Sequence, residues 1–146
     1  MFCACQCPHR LLDRHLKATM CQRVIIMVGY PGSGKSTIAQ RLGGTVISGD
    51  ELKTAPKMIR EAEKRLGNYY IIFDATNATK ARRAEYVAFA KRHGLPVRCI
   101  HVATPIELSM ERNKLRENPV PNIALYLYRK KFEEPTEDEG LEIIVV

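Results

Sequence analysis

The apolar residues of this sequence fall into short continuous runs, separated by segments in which apolar residues recur every three or four positions. The run from Val24 to Val28 is apolar throughout and mostly β-branched, which is typical of a strand buried on both faces of a parallel sheet. Between such runs, Met58, Ala62 and Leu66 show the spacing of a helix with one apolar face. Strands that alternate with helices of this length form βαβ units.

Turn residues set the bounds of these elements. Glycines at 43, 67 and 94 follow the helical segments, and glycine commonly ends helices because it adopts the left-handed conformation at little cost. The predicted strands span residues 24–28, 45–48, 70–73, 97–102 and 141–146. The predicted helices span residues 34–42, 53–66, 79–92, 105–114 and 123–132. We therefore predict an α/β fold with a central parallel sheet of about five strands and right-handed crossovers, forming one domain over residues 23–146.

The segment 1–22 lacks this periodicity and contains most of the cysteines. They are Cys3, Cys5, Cys7 and Cys21, and a fifth cysteine, Cys99, lies further on. An odd number without a secretory signal predicts free thiols in a reducing, intracellular compartment. Together with His9 and His15 the first cysteines could bind zinc, but their C-x-C-x-C spacing differs from the paired C-x₂₋₄-C of structural zinc sites. We favour a poorly ordered tail.

The net charge of the chain indicates what kind of partner it binds. The chain has 146 residues and a net charge of +7, with a sequence pI near 9.3. This excess indicates a polyanionic partner such as nucleic acid or a phosphate-rich ligand, and solubility alone is the competing interpretation. No apolar run approaches the roughly 20 residues of a membrane-spanning helix, so we expect no membrane association.

A glycine-rich segment directly follows the first predicted strand. Gly29 to Ser36 fits the pattern G-x-x-x-x-G-K-[ST] at every fixed position, with a strand before it and a helix after it. Such glycines let backbone N–H groups converge on an anion, and the helix dipole adds to the attraction. In this motif Lys35 reaches the β- and γ-phosphates and Ser36 ligates Mg²⁺. The predicted ATP-binding residues are Gly29, Pro31, Gly32, Ser33, Gly34, Lys35, Ser36 and Thr37. The fold prediction becomes a P-loop NTPase-type three-layer sandwich.

Two carboxylates follow predicted strands, at the sheet edge where doubly wound folds bind their ligands. Asp50 stands just beyond the second strand and is the candidate general base for a hydroxyl acceptor, although it could instead cap the following helix. Asp74 follows the third strand, as a Walker B carboxylate does, and is a candidate for holding Mg²⁺ directly or through water. The alternative is that it forms a turn.

A basic stretch precedes the prolines at 119 and 121. Arg112 and Arg116 are four residues apart, so a helix would place them on one face. An arginine on a mobile segment can neutralise charge on a phosphoryl group in transfer. We predict a helical lid in which both arginines are catalytic, against the alternative of a solvated basic face.

These motifs occur in the order found in a known family. From residue 23 onward the chain resembles the kinase domain of polynucleotide 5′-hydroxyl kinases, both the phage type and the kinase half of polynucleotide kinase-phosphatase. The similar segments beyond the P-loop are Ser48-Gly-Asp50 in place of Asn-Arg-Asp, Asp74-Ala-Thr-Asn77, Arg82-Arg83, Phe89-Ala-Lys91 with His93-Gly94 after it, Arg112-Asn-x-x-Arg116, Pro119-Val-Pro121, Tyr128-Arg-Lys and Phe132-Glu-x-Pro135-Thr136.

The resemblance implies ATP-dependent phosphorylation of the 5′-hydroxyl end of DNA or RNA. It implies that Asp50 is the general base and that Arg116 contacts the transferring phosphate. We also expect Lys53, Asp74 and Asn77 to bind substrate. Gly49 departs from the family's arginine, so Lys53 is expected to supply the nearby cation. The sequence contains no Asp-x-Asp-Gly-Thr motif, and we therefore predict no 3′-phosphatase activity.

Two other functions remain open. A P-loop kinase acting on a small hydroxyl compound, such as a nucleoside or sugar, is favoured by Gly49. A nucleotide-dependent binding module without catalysis is less favoured, because a pure binder needs neither a base nor a lid arginine.

Overall fold

The structure is a computed structural model that describes residues 22–67 and 70–146. The predicted N-terminal tail, with its candidate zinc ligands, lies outside the described residues apart from Gln22. Cys99 is described and is a free, buried thiol, in agreement with the prediction of free cysteines for that position.

Five parallel strands form the central sheet, as predicted. They are β1 (Arg23–Val28), β2 (Thr45–Ser48), β3 (Tyr70–Asp74), β4 (Val97–His101) and β5 (Glu142–Val145). Their order in the sheet is β2-β3-β1-β4-β5, and every neighbouring pair is parallel. Because β3 and β4 flank β1 on opposite sides, the loop after β1 lies at the point where the strand order reverses, which is where such sheets bind ligands.

Helices connect the strands on both faces of the sheet. They are α1 (Lys35–Arg41), α2 (Gly49–Leu52), α3 (Ala55–Glu63), α4 (Lys80–Arg92), α5 (Ile106–Lys114) and α6 (Asn122–Lys131). The predicted acidic loop contains a short 3₁₀ turn, Glu137–Glu139, before β5. Among the described residues, no helix combines the length and the apolar character needed to cross a membrane.

The predicted helix 53–66 is wrong in its bounds. The chain forms the short helix α2, turns at Lys53 with a φ of 70°, and begins α3 only at Ala55. Thr54 caps α3 by accepting a hydrogen bond from the backbone N–H of Lys57. Pro56 explains this start, because proline has no N–H and is tolerated only in the first turn of a helix.

Both faces of β1 are buried, which accounts for its unbroken apolar run. Val24, Ile26 and Val28 pack on the face covered by α3 and α4. Ile25 and Met27 pack on the opposite face, which α1 covers. The sheet thus forms the middle of three layers, and the carboxyl ends of β1, β2 and β3 meet at one edge.

Candidate active site

The loop between β1 and α1 has the backbone that phosphate binding requires. Gly32 and Gly34 have φ values of 83° and 102°, in the left-handed region that favours glycine. No side chain caps the N-terminus of α1, so its first N–H groups are available to an anion. A Cβ on Gly29 would lie 2.7 Å from Ser33 Oγ and 2.9 Å from the carbonyl oxygen of Val102, so only glycine fits there.

Lys35 is buried at the base of this loop. The residue is 8% exposed, and its Nζ donates a 3.0 Å hydrogen bond to the carbonyl oxygen of Tyr30. Burial lowers the pKa of Lys35 to about 8, although the nearby carboxylates of Asp74 and Asp50 act in the opposite direction. A phosphate placed beside this ammonium group would raise its pKa again, because an opposite charge favours the protonated form.

Ser36 and Asp74 come together from two elements. Ser36 lies in the first turn of α1 and Asp74 ends β3, and Ser36 Oγ donates a 2.7 Å hydrogen bond to Asp74 Oδ2. A hydroxyl and a carboxylate are oxygen ligands that suit Mg²⁺, which is usually held by one or two carboxylates together with substrate phosphates and water. Residues 22–67 and 70–146 contain no group of three or more His, Cys, Asp or Glu side chains that could hold a metal by themselves. The pair therefore fits a metal that shares its ligands with a phosphate.

Asp50 faces the lid. Its carboxylate Oδ2 lies 3.5 Å from Arg116 Nη2, and its side chain is 81% exposed. The helix cap at this point is Ser48, whose Oγ accepts a hydrogen bond from the backbone N–H of Asp50. Capping is therefore not the role of Asp50, whose carboxylate is available to a ligand.

The lid is fixed to the P-loop through its first arginine. Arg112, in the last turn of α5, donates from Nη1 to the carbonyl oxygen of Ser33 at 3.1 Å, and Thr104 Oγ1 donates to the same oxygen at 2.9 Å. Beyond the helix, the Asn113 side chain both donates to the Val120 carbonyl and accepts from its N–H, which closes the intervening loop. Sequence reasoning missed Thr104, which belongs to no motif, and it gave no role to Asn113, although Asn113 lies within the segment Arg112-Asn-x-x-Arg116.

These elements enclose one cleft of about 850 Å³. Its walls include residues 31–38, the carboxylates Asp50 and Asp74, and the arginines Arg112 and Arg116. A volume of this size accommodates a nucleotide. All four predicted catalytic residues and both predicted metal ligands are thus brought to one place. The apolar part of the wall, formed by Val102, Val120 and Val146, was not predicted.

Two predicted substrate-binding residues lie apart from the cleft wall. Asn77 is buried, and its Nδ2 donates to the carbonyl oxygen of Met27 at 2.7 Å, so the structure gives it a contact with β1. Lys53 is exposed at the turn between α2 and α3, three residues beyond Asp50. At Gly49 a Cβ would lie 2.6 Å from the Cβ of Ala75, so this backbone has no space for the arginine that the family carries there.

Comparison with known proteins assigns the chain to a family. Residues 53–135, more than half of the chain, match the family model described as AAA domain. The match begins after the P-loop, so it is independent of that motif. A bifunctional polynucleotide phosphatase/kinase of Schizosaccharomyces pombe is 32% identical over 136 residues, covering 86% of this chain and 33% of that protein. The chain thus spans about a third of the length of this relative.

Solved structures share the architecture. Kti12 of Chaetomium thermophilum, in complex with ADP-AlF3, matches with a TM-score of 0.69 at 19% identity, covering 84% of this chain and 88% of that chain. A gluconokinase from Sinorhizobium meliloti matches with a TM-score of 0.58 at 20% identity, covering 85% and 82%. At these identities the likeness establishes the fold alone.

Proposed function

The chain belongs to the AAA domain family of P-loop proteins, and we propose that it is a kinase that transfers the γ-phosphoryl group of ATP to the 5′-hydroxyl end of a DNA or RNA strand. One observation carries the proposal. The exposed carboxylate of Asp50 forms a 3.5 Å ion pair with the guanidinium of Arg116 in the wall of the cleft that also contains Lys35. A hydrolase or switch protein has no need of a carboxylate base for an acceptor hydroxyl at this position.

The proposed reaction is an in-line displacement. Asp50 accepts the proton of the 5′-hydroxyl as the hydroxyl oxygen bonds to the γ-phosphorus. The bond from the γ-phosphorus to the β–γ bridging oxygen breaks, and ADP leaves. Lys35, Arg112 and Arg116 neutralise charge on the phosphoryl oxygens, which is the largest catalytic contribution in this chemistry. Mg²⁺, held by Ser36 and Asp74, would neutralise charge on the β- and γ-phosphates.

Exposed cations beyond Asp50 support a nucleic acid acceptor. Lys53, Lys57 and Arg60 follow Asp50 along the chain and are exposed, and none of them makes an ion pair within the described ranges. Cations without carboxylate partners suit the phosphates of a strand whose 5′ end is at Asp50. The identity to a polynucleotide phosphatase/kinase supports the same acceptor. Of the two activities in that name, we propose only the kinase for this chain, since its sequence has no Asp-x-Asp-Gly-Thr motif.

The test is transfer of γ-labelled phosphate from ATP to a short oligonucleotide with a 5′-hydroxyl. The same oligonucleotide with a 5′-phosphate is the substrate control. Asp50→Asn should reduce transfer by about 10²–10⁴-fold, the usual contribution of a general base. Glu51→Gln is the matched control, because Glu51 is the exposed neighbouring carboxylate in α2 and should be dispensable. Absence of label from every end, with ATP still bound, would refute the proposal.

A small-molecule acceptor is the second candidate. The tight packing of Gly49 against Ala75 favours it, because an acceptor strand finds no arginine there. A panel of nucleosides and sugars in the same transfer assay distinguishes the two. Preference for a free nucleoside or sugar over the oligonucleotide would establish this candidate instead.

A further inference from the structure

Arg83 has a more complete set of hydrogen-bond partners than the cleft cations, although no role was predicted for it from the sequence. Its side chain, on α4, is 0% exposed. Nε and Nη2 donate to the two carboxylate oxygens of Glu139 at 2.9 and 3.1 Å. Nη1 donates to the carbonyl oxygens of Asn77 and Ala78 at 2.9 and 3.2 Å, and Nη2 donates to that of Glu133 at 2.8 Å. A guanidinium has five N–H donors, and this one has five hydrogen bonds.

Two of these acceptors belong to the loop that begins at Asp74, the carboxylate proposed to hold Mg²⁺. This loop, residues 74–78, joins Asp74 to the start of α4. Its other side is bound to β1 and the P-loop, since Thr76 accepts from the N–H of Gly29 at 3.3 Å and Asn77 Nδ2 donates to Met27. Asn77 has a φ of 45°, in the left-handed region that asparagine adopts more readily than most other non-glycine residues. Arg83 therefore binds the end of the loop that leads into α4, in addition to the contacts that the loop makes with β1 and the P-loop.

The remaining acceptors belong to the segment 133–139, which lies outside the sheet. Glu133 N–H donates to Ala78 at 2.8 Å, and its carboxylate accepts from the N–H of Lys80 at the start of α4. Glu139 is oriented by the backbone N–H of Thr136 at 2.9 Å. Burial alone would raise the pKa of Glu139, but hydrogen bonds from Arg83 and Thr136 outweigh it and lower that pKa. The carboxylate thus stays charged and paired.

We propose that Arg83 and Glu139 are positioning residues for phosphoryl transfer, which hold the 74–78 loop so that Asp74 meets Ser36 beside the P-loop. Stability does not require such a pair, because a buried ion pair can often be replaced by apolar side chains without loss. A network with all its donors satisfied does fix one geometry. The segment 133–139 then supports the active site although it contributes no residue to the cleft. The catalytic consequence rests on the proposed function, whereas the effect on metal-dependent nucleotide binding does not.

The experiment measures how much Mg²⁺ strengthens binding of a fluorescent N-methylanthraniloyl analogue of ATP. Arg83→Lys keeps the charge but supplies three donors in place of the planar fork. Glu139→Gln keeps one hydrogen-bond acceptor and removes the charge, and it serves if Arg83→Lys does not fold. We expect either substitution to reduce the gain in affinity on adding Mg²⁺ by about tenfold, the lower end of what loss of a residue that orients a metal ligand does. Binding without metal should change little.

Two controls separate positioning from general stability. Arg98→Lys alters another Arg–Glu pair, in which Arg98 bonds to both carboxylate oxygens of Glu142 far from the loop. Ile100→Ala opens a cavity on the other face of the sheet. Neither should change the gain from Mg²⁺. If the Arg83 and Glu139 variants are less stable but keep the full gain, the pair is a stability element and the proposal is overturned. Because no acceptor is needed, this result is independent of whether the acceptor is a polynucleotide.

Discussion

The cations near the 74–78 loop differ in how completely their hydrogen-bond donors are satisfied. On the side of α4, Arg83 is buried and makes five hydrogen bonds. On the side of the cleft, Lys35 and Arg112 each make a single side-chain hydrogen bond within residues 22–67 and 70–146, and Arg116 makes one ion pair at 3.5 Å. The difference shows which charges are part of the framework. The cleft cations have unused donors that a triphosphate can satisfy, and Arg83 has none.

The largest contrast should appear when the same substitution is made in both arginine–carboxylate pairs. Arg83→Met leaves the Glu139 carboxylate buried without its ion-pair partner and should lower the free energy of unfolding by about 3–5 kcal/mol. Arg116→Met breaks an exposed pair and should lower it by at most about 1 kcal/mol, while transfer falls by about 10³-fold or more. Urea denaturation and the transfer assay measure the two effects.

A double variant checks the reason for this contrast. Arg83→Met combined with Glu139→Leu removes both charges and should recover much of the lost stability, because it leaves no unpaired ion. Equal losses of stability for Arg83→Met and Arg116→Met would contradict the distinction between framework and cleft cations.

Much of this arrangement could be predicted from the sequence. The apolar run of β1 and the spacing of Gly29, Lys35 and Ser36 locate the phosphate site, because one continuous segment contains all of its parts. Asp50 and Asp74 could be placed because parallel strands bring their carboxyl ends to the same edge. In such cases the geometry follows from local conformation and from the topology of the sheet.

The remaining features depend on partners that the sequence does not specify. Arg83 and Glu139 are 56 residues apart, and nothing local indicates that they meet. Helical phase does not single it out either, because Arg83 precedes the buried residues Val87 and Ala90 by the same intervals at which Arg82 precedes the buried residues Tyr86 and Phe89. Asn77 was predicted to bind substrate as part of the segment Asp74-Ala-Thr-Asn77. The sequence of this segment does not indicate that its amide contacts β1. The break before α3 was signalled by Pro56.

The affinity for nucleotide should change about tenfold with pH, because Lys35 is buried and makes a single hydrogen bond in the described part of the empty cleft. Burial lowers its pKa to about 8 in the free protein, and bound phosphates should raise it. Lys35 is then mostly charged at pH 7 and mostly neutral at pH 9 unless nucleotide is bound. Affinity for ATP should fall by about tenfold between pH 7 and pH 9, with uptake of a proton on binding at the higher pH.

Titration calorimetry in buffers of different ionisation enthalpy measures this proton uptake directly. Lys35→Met should bind ATP more weakly at pH 7 and show little dependence on pH over the same range. Constant affinity of the unmodified protein from pH 7 to pH 9 would mean that Lys35 stays charged in the empty cleft, and that its single hydrogen bond to Tyr30 satisfies it.

The smallest expected effect concerns cations that lie outside the cleft, and it tests whether a nucleic acid strand extends along α3. Lys57→Glu should raise the KM for an oligonucleotide several-fold and reduce the slope of log affinity against log salt by about one, as loss of one phosphate contact does. Lys91→Glu is the matched control, because Lys91 is also an exposed helical lysine without an ion pair in the described part of the chain, and it lies at the far end of α4. Both substitutions change the net charge equally, so equal effects would indicate only general attraction to a basic protein. An effect confined to Lys57 would place the acceptor strand beside α3, because only a local contact distinguishes two lysines of the same charge and exposure.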